Sequence, residues 1–134
     1  MVNFICEFFD CQPANMRIAY LRQRLLVMIF REILFEKGVS SKREGDDIFV
    51  NGRKLSISIA SASLSSMKIH FAFNLEDKGT PDDVETIGIL DIVDEDNNQV
   101  FNKGDLVDLI NEIANRFILE IETIEKDISK TNLL

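Results

Sequence analysis

A chain of 134 residues, 46% apolar and 28% charged, is long enough for one core and too apolar for disorder, so a single domain over residues 1–134 is expected. Its net charge of −8 is uneven: residues 1–67 carry 9 basic and 7 acidic groups and residues 68–134 carry 6 and 16, a field that repels polyanions and argues against nucleic acid as a partner. No apolar run reaches the ~18 residues of a membrane span, and strand-like sequence stands where a basic leader would be, so a cytoplasmic protein without membrane contact is expected.

Val2 to Phe9, rich in aromatic and branched residues, reads as a strand that ends in a turn at Asp10 to Pro13. Cys6 lies in phase with Phe4 and Phe8 and reads as a small buried thiol. Cys6 and Cys11 are too few for a disulfide scaffold, and no second pair completes a metal site. A helix is predicted from about Ala14 to Lys37, with Ile18, Leu21, Leu25, Met28 and Ile29 at three- and four-residue steps and Gly38 as its stop. From Leu25 to Leu34 it is apolar nearly all round, which calls for cover by the sheet plus a second helix or by another subunit; a homodimer is therefore expected. Arg17, Arg24 and Arg31 recur every seven residues along this helix, where the acidic second half of the chain could meet them.

Three strands should follow, near 39–44 or 46–50, 53–62 and 67–75, with Asn51-Gly52 as the hairpin signal because this pair tolerates the positive φ of a tight turn. Strict alternation sends Leu55, Ile57 and Ile59 to one side, read as core, and Lys54, Ser56, Ser58, Ala60 and Ala62 to the other, read as the floor of a ligand pocket. In the next strand Ile69, Phe71 and Phe73 alternate with His70, Ala72 and Asn74, repeating that division. Lys78 to Asp83 reads as a loop, Glu85 to Ile92 as a short strand or a strand plus turn, and Asp94 to Asn98 as a surface connection. A last helix from about Asn102 to Asp127 is capped by Asn102 and Asp105 and buries Leu106, Leu109, Ile110, Ile113, Phe117, Ile121 and Ile124, leaving Thr131 to Leu134 as a loose end. The fold class is α+β: an antiparallel or mixed sheet with two long helices packed on one face.

The run Gly45-Asp46-Asp47-Ile48-Phe49-Val50-Asn51-Gly52-Arg53-Lys54-Leu55-Ser56 resembles the segment of biotin and lipoate protein ligases that reads Asn-Asp, three apolar residues, any residue, Gly, Arg or Lys, Lys, apolar, Ala or Ser, Gly. His70-Phe71-Ala72-Phe73-Asn74 takes the place of their Gly-Ile-Gly-Ile-Asn strand. Met1 to Asp10, Arg22 to Leu26, Lys42 to Asp47 and Lys54 to Ala60 are similar to an uncharacterised prokaryotic family of unknown function distantly related to those ligases. The resemblance implies a shortened ligase-like, class II synthetase-like fold that lacks the ligases' upstream Arg/Gly-rich phosphate loop. It also implies that Lys54 contacts a carboxylate and an adenylate phosphate, with Asp47 holding nucleotide and lysine, and that ATP with Mg²⁺ serves as cosubstrate if ligase chemistry holds.

Lys54 is thus the candidate catalytic residue, and Asp46, Asp47, Arg53, Ser56, Ser58, His70 and Asn74 are the candidate substrate-binding residues. Ile57 replaces a ligase glycine, with alternation turning it to the core, while His70 and Ala72 stand where the ligases carry small residues. Octanoyl transfer would need a downstream cysteine nucleophile, and both cysteines lie upstream. Two readings remain: a ligase-type domain that binds a small carboxylic acid or acyl-adenylate over Lys54, as an enzyme or the remnant of one, and a non-catalytic dimerisation or partner-docking module of the same fold.

Overall fold

The computed structural model describes residues 1–77 and 85–131. Strand β1 (Val2–Phe8) leads to helix α1 (Met16–Glu36), whose start is set by Asn15, the side-chain oxygen of which accepts the Ile18 N–H at 3.1 Å. Gly38, at φ +85°, ends it as expected. Three short strands follow, β2 (Lys42–Glu44), β3 (Asp47–Val50) and β4 (Arg53–Lys54), then two long ones, β5 (Ser56–Ala62) and β6 (Met67–Phe73). The turn between β3 and β4 has Asn51 and Gly52 both at positive φ, 53° and 75°, which matches the twist of the strands it joins. Helix α2 (Leu106–Lys130) is preceded by a 3-10 turn at Lys103–Asp105, where Asn102 and Asp105 exchange side-chain and backbone hydrogen bonds at 2.9 and 3.2 Å.

The strands form two antiparallel sheets, ordered β1-β6-β5 and β2-β3-β4. Helix α1 lies on the first sheet and α2 packs against α1, so the architecture is the expected α+β arrangement. Phe30 of α1 meets Phe71 and Phe73 of β6 edge-on, with ring centroids 5.3 and 5.2 Å apart, and Ile33, Leu34, Leu26, Ile48, Leu55 and Ile69 complete the fully buried centre. Arg116 of α2 clamps the far end of α1 through Glu36 at 2.8 Å and Glu32 at 3.8 Å.

The two faces of β5 are reversed from the sequence expectation. Ile57 and Ile59 are 44% and 67% exposed, whereas Ser56 and Ala60 are buried. The cause is a break in alternation at Leu55, which lies between β4 and β5: Leu55 and Ser56 both point inward, so every later residue changes side. The small side chains admit α1, whose Ala19 packs with Ala60, Ala62 and Met67. The helical stripe also shifts. Ala19, Gln23, Leu26, Val27, Phe30, Ile33 and Leu34 form the buried arc with Ile29, while Leu21 and Met28, expected inside, are exposed. On α2 the core takes Leu109, Ile113 and Phe117; Leu106, Ile110 and Ile121 are half-buried and Ile124 is exposed, because α2 runs past the end of the core. The β1 side chains Phe4, Cys6 and Phe8 share the half-buried inner side, and burial pushes the Cys6 thiol pKa up, keeping it protonated.

Residues 85–92 hold one parallel bridge, Thr86 to Lys54, and a 3-10 turn at Ile89–Asp91. The loop expected at 78–83 and the last three residues of the loose end lie outside the described residues. Among the described residues no helix is long and apolar enough to cross a membrane.

Two predictions follow from this packing. A Cβ placed on Gly88 would stand 2.3 Å from the Leu75 carbonyl, so Gly88→Ala must displace backbone; a loss of about 1–3 kcal/mol is expected in urea unfolding. The bidentate bonds from Arg22 to Asp10, both 2.9 Å, hold the Asp10 carboxyl pKa below its usual value. That contribution is present above about pH 4 and fades as pH falls through the lowered native pKa, so Asp10→Asn should flatten the acid limb of the stability profile measured from urea midpoints.

Candidate functional site

Because Asn51-Gly52 forms a two-residue turn, Val50 pairs with Arg53 and Phe49 with Lys54. Lys54 therefore projects from the same face as Phe49 and, one pair along, Asp47. The Lys54 Nζ stands 3.2 Å from Asp47 Oδ2, and each side chain is 28% exposed, so the cation is part-shielded yet reachable. On the other side of Phe49 lies Lys42, its register partner in β2, paired at 3.3 Å with Glu44. The face thus carries two lysine–carboxylate pairs flanking one aromatic side chain.

The backbone of Lys54 is held from several directions. Its N–H donates to the Glu85 carbonyl at 2.9 Å, and its carbonyl accepts from Ile87 N–H at 3.0 Å and from Asn74 Nδ2 at 3.3 Å. The same Asn74 amide donates to the Ile87 carbonyl at 3.2 Å, so it ties β4, β6 and the segment after residue 85 together. Such a clamp fixes the root of the lysine, leaving only side-chain torsions free.

The other expected residues fall into different roles. Ser56 is fully buried under α1, where its Oγ accepts the Ile48 N–H at 3.1 Å. Ser58 Oγ and Asp46 Oδ2 each accept from Gln23 Nε2 at 3.0 Å, which links α1 to the β2–β3 turn. Small residues on that side of β5 floor a helix contact, and the pocket expected over them is filled by α1. Arg53 turns to Asp77, whose other carboxylate oxygen accepts from Thr86 Oγ1 at 2.6 Å. His70 stands on the outer face of β6 opposite Ile59, with its Nε2 2.8 Å from Asn3 Oδ1. Ile59 is five residues from Lys54, about 17 Å of strand, so His70 does not join the lysine.

Sequence reasoning overlooked Lys42, Phe49 and Gln23. The register of the Asn51-Gly52 turn already implied Phe49 opposite Lys54. Gln23 was visible as the one polar residue in the buried arc of α1, where an amide needs partners. Among the described residues no group of three or more His, Cys, Asp or Glu side chains could hold a metal ion.

Removing the Ser56 hydroxyl orphans the buried Ile48 N–H. Ser56→Ala is expected to cost about 1–3 kcal/mol and to speed hydrogen exchange at the Ile48 amide, read by NMR, more than at Phe71.

A family model described as a domain of unknown function, DUF366, matches residues 1–132, and the chain belongs to that family. The uncharacterized protein MJ0805 of Methanocaldococcus jannaschii is 37% identical over 130 residues, 97% of this chain and 53% of that protein. A solved protein of unknown function from Pyrococcus horikoshi is 32% identical with a TM-score of 0.82, over 98% of this chain and 64% of that one. The apo biotin protein ligase of Aquifex aeolicus matches with a TM-score of 0.63 at 10% identity, over 92% of this chain and 55% of the ligase. The same enzyme in complex with biotin and ATP gives 0.58 at 12% identity, over 86% and 49%. The chain therefore spans about half to two-thirds of the length of these proteins, and the ligase likeness is one of fold.

Proposed function

We propose that this member of the DUF366 family binds a small carboxylic acid or its acyl-adenylate through Lys54. The observation that carries the reading is the part-shielded Lys54–Asp47 pair, rooted in a clamped backbone and set beside Phe49. A lysine whose backbone is clamped and whose ammonium Asp47 already positions loses less conformational freedom on meeting a carboxylate or phosphate than a freely moving surface lysine does. Asp47 keeps the ammonium in place before an anion arrives, and the Phe49 side chain offers an apolar surface for a flat base. Lys54 fits one phosphate or carboxylate of ATP or an adenylate. Mg²⁺ entering with ATP would draw its oxygens mainly from phosphate and water.

The acyl part meets a different surface from the one the small residues suggested. Ser56 and Ser58 support this reading only indirectly, by seating β5 against α1 and the β2–β3 turn. Ile57, which replaces a ligase glycine, is outward and 44% exposed, so a bulky fused ring cannot lie flat against the strand as it could over glycine. A slim aliphatic acid suits this surface better than biotin.

Isothermal titration of the folded protein with biotin, lipoate, octanoate, ATP and AMP tests the proposal. Binding of octanoate or AMP is expected, weakened about tenfold or more in Lys54→Ala and partly kept in Lys54→Arg. No heat with any of these compounds, or equal affinity in Lys54→Ala, would overturn it.

A further inference from the structure

We propose that the outward face of α1 docks an acidic amphipathic helix of a partner protein, a role independent of the Lys54 site. Helix α1 spends one arc on β5 and β6 and another on α2, and a third side is left facing solvent. That side carries Leu21, Met28 and Phe35, which are 64%, 49% and 76% exposed. They are spaced by seven residues and form a single ridge about 21 Å long. Arg17, Arg24 and Arg31 share the seven-residue spacing, each three residues after or four before a ridge residue, so cation and apolar side chain alternate along one line. A repeat of seven is the period at which one helix keeps contact with another, and a single line of apolar side chains is narrower than the broad arc a helix needs to lie in a membrane.

Among the described residues no carboxylate pairs with Arg17, Arg24 or Arg31, so the described acids of the second half do not receive them as the sequence suggested. Arg22, Lys37, Arg53, Lys54 and Arg116 all have acidic partners. Arg31 donates only to the Ser41 carbonyl, at 3.0 and 3.3 Å, and the buried Arg24 Nε has no acceptor. Met28, Arg31, Phe35 and Ser41, with Glu32 and Ser40, line a groove of about 490 Å³, and the buried Ser41 Oγ there also lacks a partner. Glu32, the acid at the rim among the described residues, already faces Arg116 at 3.8 Å. The ridge therefore asks for apolar side chains at seven-residue spacing flanked by carboxylates.

A second copy of the chain supplies the wrong charge. Two α1 helices crossed antiparallel about Met28 would set Leu21 against Phe35, but they would also bring Arg24 beside Arg31 of the other copy, and like charges at that range repel. An acidic helix from another protein removes that conflict.

The test titrates the whole chain into a fluorescently labelled three-heptad peptide with leucine at the seam and glutamate flanking it, read by anisotropy. Saturable binding is expected, falling about tenfold or more when Met28→Asp or Arg24→Glu/Arg31→Glu replaces the wild type, and weakening as salt is raised. Met28 and Arg31 are exposed and Arg24 is half-buried, so circular dichroism checks that both variants fold, and Ile59→Asp on the outer sheet face should bind as wild type does. The proposal is overturned by no binding up to millimolar peptide, by equal binding of a lysine-flanked peptide, or by tighter binding to phosphatidylserine vesicles. Light scattering that shows a dimer made monomeric by Met28→Asp would overturn it too, since the ridge would then be covered by a second copy.

Discussion

The chain turns on Leu55. Its N–H closes the β3–β4 hairpin through the Ile48 carbonyl at 2.8 Å, and its own carbonyl accepts the Asn74 N–H at 2.9 Å, so one residue belongs to both sheets. A fully buried leucine next to a fully buried serine breaks the two-residue period of the strand. Upstream of this point Lys54 faces outward with Asp47 and Phe49; downstream the small residues face inward and the isoleucines outward. Were the period unbroken, Ser56 would share the lysine's side and Ile57 would enter the core.

The break has an energetic logic. Ser56 and Ser58 bury little apolar surface, yet each hydroxyl accepts from a buried donor, Ile48 N–H and Gln23 Nε2. Their small volume lets α1 come close enough for Phe30 to reach the rings of Phe71 and Phe73. Dispersion and burial at those rings outweigh what larger residues on β5 would contribute, because larger side chains would push the helix away from the sheet. Helix placement then holds the β2–β3 turn through Gln23 and Asp46, and that turn begins the strand bearing Asp47.

Charge divides the surface into separate territories. Ion pairs gather where elements meet: Arg22 with Asp10, Arg116 with Glu32, Glu36 and Glu112, and Lys54 with Asp47. Arg17, Arg24 and Arg31 of α1, without a carboxylate partner among the described residues, follow the remaining side of that helix, where Arg31 meets the Ser41 carbonyl. A net charge of −8 thus coexists with a local basic face, which neither total charge nor a count by halves discloses.

Much of the fold was legible in the sequence because its signals are local. Asn51-Gly52 permits only a tight hairpin, Gly38 stops a helix, Asn102 with Asp105 starts one, and seven-residue strands in phase with phenylalanine declare an inner side. The family resemblance and the prominence of Lys54 likewise rest on residue identity. Which way β5 faces, which stripe of α1 is buried and where His70 lies relative to Lys54 were decided by tertiary structure alone. Serine and alanine suit a ligand floor and a helix seat equally well, and an all-round apolar helix has no preferred side until a sheet and a second helix press against it. Local periodicity reports that side chains alternate; only long-range hydrogen bonds, such as those at Leu55, determine where the alternation restarts.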